Sequence, residues 1–151
     1  MTKIAEVLAS VFYIGYIPIV PASFGAGFGG LIYWFLMPEC APVELGVTVG
    51  LIVLAIVCSH RAEETYGHDG KRIVIDEVAG MFVSLCFLPR DGTVFVGAFL
   101  AFRVFDVLKP FPSGRLQRLP GGWGVVADDV FAGVYSNIFV RVLLLLQQSS
   151  M

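Results

Sequence analysis

The sequence predicts an all-α fold, a compact multi-helix bundle embedded in a membrane, with short or tilted transmembrane helices in one domain spanning residues 1–151. Three observations predict it. Hydrophobic residues make up 57% of the chain and charged residues only 15%, against about 25% in soluble domains. Mean hydropathy is +0.82. The apolar stretches recur between short polar or Pro/Gly breaks and show no sustained alternation, and a membrane-spanning sheet would have to close into a many-stranded barrel. No composition break marks a second domain.

The elements follow in order. The first stretch carries Lys3 and then Glu6 inside its apolar run, a poor signal peptide, and is expected to remain as a helix at or partly in the membrane. Residues 17–30 place small residues on either side of Ser23 and lead into a helix, so the backbone amides there are expected to approach an anion. Residues 27–38, bounded by Pro38 and Pro42, are too short to cross a bilayer alone. Residues 43–60 form the clearest span, and Gly46 and Gly50 within it make a GxxxG pattern suited to a homodimer or to internal helix packing. Two further spans are expected at 73–88, ending before Pro89, and at 93–108, ending at Lys109-Pro110. A long helix over 128–146 is expected to begin with its acids and finish in a Leu-rich tail.

Tracing these spans places Arg61, Lys71, Arg72, Lys109, Arg115 and Arg118 on one membrane face, with Arg90 and Arg141 toward the other. By the positive-inside rule the first face is cytoplasmic. The same trace brings Asp76, Glu77, Asp106, Asp128 and Asp129 to that face. Carboxylates in or beside apolar spans are costly and usually face a bundle interior. Converging hard oxygen ligands suit Mg²⁺, which typically takes one or two carboxylates plus water and substrate phosphate. Arg103 and Lys109 flank Asp106, as cations would in a phosphate site. Gly80 stands one turn after Asp76, and Gly133 one turn after Asp129, where small residues let helices approach closely.

Each feature also has an ordinary reading. Asp128 and Asp129 suit a helix N-cap, Arg103 and Asp106 an i,i+3 ion pair, Asp76 and Glu77 a helix start. Glu63 and Glu64 read as solvated, and His60 and His68 lack metal-ligand spacing. The phenylalanines from Phe82 to Phe105 read as lipid or core contacts, and the odd, scattered Cys40, Cys58 and Cys86 as packing residues. A net charge of −2 without any basic run excludes nucleic acid as a partner. What the ordinary readings leave unexplained is the joint placement of the acids on one face.

The blocks IVIDEVAGM (73–81), FRVFDVLKPFP (102–112) and GGWGVVADDVFAG (121–133), preceded by PASFGAG (21–27), resemble the phosphatidylglycerophosphatase A family in order and spacing. The first block departs from the family's Pro-Gly-Thr and Gly-Ser pattern, with Ser23 standing where the threonine is expected. The resemblance implies a Mg²⁺-dependent, multi-pass enzyme of the bacterial inner membrane. It would hydrolyse phosphatidylglycerophosphate to phosphatidylglycerol and phosphate at the cytoplasmic face. Asp76, Glu77, Asp106, Asp128 and Asp129 would be the catalytic acids, with metal on Glu77, Asp106, Asp128 and Asp129. Asp76 or one of the paired aspartates would be the general base, and Arg103, Lys109 and Ser23 would bind substrate. Two rivals remain at this stage. One is a phosphatase for a soluble phosphomonoester. The other is a small cation-transport subunit, against which the apolar middles of the spans argue.

Overall fold

The computed structural model describes residues 2–67 and 70–149, which form seven α-helices and a 3₁₀ turn with no strand among them; His68 lies outside the described residues. The helices are α1 (Thr2–Ala9), α2 (Pro21–Leu36), α3 (Ala41–Tyr66), α4 (Ile75–Leu85), α5 (Gly92–Leu108), α6 (Ser113–Leu116) and α7 (Gly122–Ser149), with the 3₁₀ turn at Ile14–Tyr16. Proline opens α2 and sits in the first turn of α3, where its missing N–H costs no helical hydrogen bond.

The helix α4 is the centre of the molecule. It packs against α2, α3, α5 and α7, and all of its residues but Val83 are buried. At 11 residues it is about 16 Å long, half the roughly 30 Å of bilayer hydrocarbon. The expected span over 73–88 is therefore a core half-helix. Its neighbours surround it, which is why its sequence is largely apolar on every side.

Two other boundaries differ from expectation. The helix α2 begins at Pro21, so the PASFGAG segment is helical instead of a loop presenting amides. Gly25 of that segment and Gly29 just after it lie against Val74 and Val78, and a Cβ at Gly29 would come within 2.9 Å of the Val78 backbone. The last helix begins at Gly122, not at residue 128, because the missing side chain of Gly122 lets its first turn lie against α3. A Cβ on Gly122 would meet the Ile56 carbonyl at 2.0 Å.

Among the described residues α3 and α7 are the two helices long and apolar enough to cross a membrane, with best-window mean hydropathies of 2.3 and 1.7. Their 26 and 28 residues correspond to about 39 and 42 Å. Their outer faces leave Leu45, Val49, Val53, Ile138, Phe139 and Val142 exposed, a continuous apolar surface of the kind that meets lipid or a partner. Gly46 and Gly50 stand on the exposed face of α3 with nothing near them, so within this chain they serve no internal packing. Cys58 and Cys86 are buried, whereas Cys40 is exposed. Of the phenylalanines, Phe82 and Phe102 are core and Phe87 is exposed.

Candidate active site

The acids are brought together by a contact between two helices that run in the same direction. At the crossing of α4 and α7, a Cβ on Gly80 would lie 2.7 Å from the Asp129 carbonyl, and one on Gly133 would lie 2.4 Å from the Gly80 carbonyl. Only glycine at both positions permits that approach. One turn back on each helix stand Asp76 and Asp129, so the close backbone contact sets their side chains against each other. Asp76, Glu77 and Asp129 each offer a ligand oxygen, and these oxygens lie within 4.8 Å of one another. Asp76 is 5% exposed, Glu77 9% and Asp129 4%.

Asp128 and Asp129 are the seventh and eighth residues of α7, nearly two turns in, so neither is an N-cap. Asp128 points to a different partner. Its Oδ2 accepts from Lys109 Nζ at 2.6 Å, and its backbone carbonyl accepts from the buried Ser113 Oγ at 2.9 Å. Lys109 ends α5 in the left-handed region at φ 43°, a conformation that costs a non-glycine residue about 1–2 kcal/mol. That turn leads the chain into α6, and Lys109 and Ser113 fasten it to α7. On α5, Arg103 Nη1 lies 2.8 Å from Asp106 Oδ2, an ion pair without hydrogen-bond alignment.

All five acids and both cations expected from the sequence therefore occupy one end of the α4, α5 and α7 bundle. The sequence expectation puts metal on Glu77, Asp106, Asp128 and Asp129. The close triad contains Asp76 with Glu77 and Asp129, while Asp106 and Asp128 each face a cation. Ser23 lies in the first turn of α2, lining a largely apolar groove with Ile14, Ile17 and Gly27. His60 is exposed on α3 against Gly121. Sequence reasoning missed Ser113, a short polar residue with no motif around it. It also missed Asn137 and Arg141 at the other end of α4.

The triad fits a hard divalent cation. Asp76 Oδ1, Glu77 Oε2 and Asp129 Oδ2 are buried and have no hydrogen-bond partner among the described residues. Buried polar atoms are almost always paired, and several buried carboxylates without a counter-charge repel one another. A bound Mg²⁺ would satisfy both demands with the oxygen ligands it prefers. Arg103 and Lys109, each paired with a carboxylate at the same end of the bundle, supply the cations of this cluster.

Known proteins resemble this chain over most of its length. The phosphatidylglycerophosphatase A family profile matches residues 7–144. An Escherichia coli phosphatidylglycerophosphatase A is 35% identical over 135 residues, covering 87% of this chain and 78% of the relative. A Haemophilus influenzae phosphatidylglycerophosphatase A is 33% identical over 144 residues, covering 89% and 85%. A Bacteroides thetaiotaomicron protein named provisionally as a phosphatidylinositol-3-phosphatase is 35% identical over 141 residues, covering 87% of each chain. No solved structure matches. With the profile covering nearly the whole chain and all three sequence blocks lying inside it, this chain belongs to the phosphatidylglycerophosphatase A family.

Proposed function

We propose that this protein is a Mg²⁺-dependent phosphatase that hydrolyses phosphatidylglycerophosphate to phosphatidylglycerol and phosphate. It would work as a multi-pass protein of the bacterial inner membrane, with its site at the cytoplasmic face. The observation that carries the chemistry is the buried triad of Asp76, Glu77 and Asp129 with its unpartnered oxygens. The family and its named relatives support the substrate. The long exposed apolar faces of α3 and α7 and the cluster of cations at the acid end support the placement.

Asp76, Glu77 and Asp129 would hold Mg²⁺, which when bound supplies charge neutralisation and polarisation of a phosphate ester. Arg103 and Lys109 would neutralise the non-bridging oxygens and orient the phosphate for in-line attack by water. The attacking water gives its proton to a carboxylate outside the triad. Asp106, whose side chain is 16% exposed against 5% for Asp128, is nearer to solvent and takes that role in our reading. Ser113 would act only by holding Asp128 and Lys109 in place. Direct hydrolysis needs no cysteine, and Cys58 and Cys86 are buried as ordinary packing residues.

The test is phosphate release from phosphatidylglycerophosphate by detergent-purified protein, with Mg²⁺ and with chelator, for the parent and for Asp129→Asn. Release that needs Mg²⁺ and is lost in a folded variant supports the reading. A folded parent that is inert toward this lipid with Mg²⁺ present refutes the substrate. The Bacteroides relative's name favours a second reading, a phosphoinositide carrying a 3-phosphate, and that lipid belongs in the same assay beside a soluble phosphomonoester. Comparable turnover of the soluble ester would remove the lipid from the proposal.

A further inference from the structure

The face of α2 that carries Ser23, Gly27 and Leu31 is the floor of a groove. Toward its upper end Ile14 of the 3₁₀ turn and Ile17 just after it close it, in a cavity of about 310 Å³. Leu31 also borders a second cavity of about 220 Å³ beside it, where Trp34 and Phe35 of α2 face Gly92, Phe95 and Val96 of α5. The two cavities share Leu31 and follow one helix face, since these α2 residues recur at helical spacing. Their lining is almost wholly apolar. The groove opens sideways onto an exposed apolar surface that includes Phe28, Phe35, Val96 and Leu100.

The register of α2 and α5 says where the groove leads. A Cβ at Gly27 would lie 3.8 Å from the Phe99 ring, so these residues stand at one height on two helices that run in opposite directions. One turn further toward the acid end, α2 presents Ser23 and α5 presents Arg103. By this register the Ser23 end of the groove stands at the height of Arg103, the α5 residue that pairs with Asp106. An apolar groove with exposed apolar residues along its side, and a cation at the same height on the neighbouring helix, matches the chemistry of a lipid whose head group is an anionic phosphomonoester.

We propose that this groove seats an acyl chain of the substrate lipid, with Gly27 as the residue whose missing side chain keeps it open. The inference rests on the lipid-phosphatase reading and deepens it. It assigns a route from the bilayer to the site and a structural reason for acting on a membrane ester. A chain lying along α2 and α5 positions its head group at Arg103 before any contact with the triad.

The test uses phosphatidic acid bearing a photoreactive diazirine near the end of one acyl chain, against phosphatidylcholine carrying the same chain. Both are presented to the full-length protein in mixed micelles, and adducts are mapped by mass spectrometry. The phosphomonoester lipid is expected to label Leu31, Phe35 or Val96 in preference to the outer faces of α3 and α7, with no such preference for phosphatidylcholine. Gly27→Leu, or Val96→Trp from the opposite wall should the first variant fold poorly, is expected to cut that labelling. Either should also cut kcat/KM on long-chain substrate roughly tenfold, equivalent to about two methylenes left unburied, while turnover of a short-chain ester is unchanged. Equal labelling by both lipids would mean ordinary boundary lipid and overturn the proposal, as would variants that slow long- and short-chain esters alike. Because labelling does not need turnover, an inert parent that still labels selectively would keep the groove and remove the hydrolytic reading alone.

Discussion

The two ends of α4 face the same problem and solve it in opposite ways. At the C-terminal end the last carbonyls of a buried half-helix need donors. Asn137 Nδ2 donates to the carbonyls of Val83, Ser84 and Cys86 at 3.3, 3.0 and 2.9 Å, and Arg141 Nη2 donates to those of Cys86 and Phe87 at 3.2 and 3.1 Å. Glu44 in turn accepts from the Phe87 amide at 3.1 Å, so even the turn that leaves α4 is tied down. At the N-terminal end Asp76 and Glu77 meet Asp129 with one oxygen of each left without a hydrogen bond. One end is finished by the chain itself. The other leaves carboxylate oxygens that the proposed Mg²⁺ would satisfy, and that contrast is what the proposal rests on.

The comparison breaks most visibly if the open end loses a carboxylate. Asp129→Asn is expected to reduce phosphate release by roughly 10²- to 10⁴-fold, the range for loss of a positioned acid–base or charge-stabilising group. The same variant should melt higher than the parent in chelator, because one of three crowded like charges has gone. The parent should gain thermal stability on adding Mg²⁺, by about 2.7 kcal/mol at a hundredfold excess over Kd, and Asp129→Asn should lose most of that gain. Thermal melts read both effects without any assay of turnover. An unchanged Mg²⁺ response in the variant would remove Asp129 from the metal site.

A second variant tests the helix contact that assembles the open end. In Gly80→Leu the new side chain meets the Asp129 carbonyl and the Phe102 ring, where even a Cβ would come within 2.7 and 2.6 Å. Overpacking of this kind costs about 1–3 kcal/mol. Phosphate release by the protein that remains folded should fall as well, because Asp76 and Asp129 are pushed apart. Activity retained in folded Gly80→Leu would show that the site tolerates a looser crossing.

The closed end should behave differently. Asn137→Leu removes the amide that donates to three carbonyls, leaving the Cys86 carbonyl to Arg141, and is expected to lower stability by about 1–3 kcal/mol. Turnover per folded molecule should stay near the parent's, and a large fall in kcat at constant folded fraction would contradict a structural role.

The smallest effect is at the start of α5, outside both clusters. Asp91 accepts from the amides of Thr93 and Val94 at 2.8 and 3.3 Å and from the Thr93 hydroxyl, and these hydrogen bonds hold its carboxyl below the usual Asp range. Because the folded pKa is the lower one, the stabilisation is present in full above the unfolded Asp value of about 3.9 and fades as pH falls through the folded pKa. Asp91→Ala should therefore melt slightly below the parent at neutral pH, with the gap closing in acid. A gap that widened in acid would reverse the sign of this argument.

Much of the site was legible because the expensive residues in an apolar chain are few. Acids within apolar segments stand out against their surroundings, and the spacing of Gly80 from Asp76 and of Gly133 from Asp129 already marked where two helices meet. The division of labour was not legible. Asp128 and Asp129 are adjacent in sequence, yet consecutive residues on a helix point about 100° apart, so one joins the triad and the other turns to Lys109. Asn137, with its neighbour Arg141 a turn later, carried a usable signal as an amide inside an otherwise apolar helix. Ser113 carried none.

By itself the sequence determined the class of fold, the set of acids and cations and the end of the molecule they share, because hydropathy, periodicity and the cost of burying charge act locally and are readable residue by residue. Only the tertiary structure decided that α4 is a core half-helix and that α7 starts at Gly122. It alone decided that Asp76 lies with Glu77 and Asp129, and that Ser23 and Gly27 line an apolar groove on α2. Those outcomes depend on how closely two backbones approach and on which face each helix turns to its neighbour, and both are properties of the packed helices together.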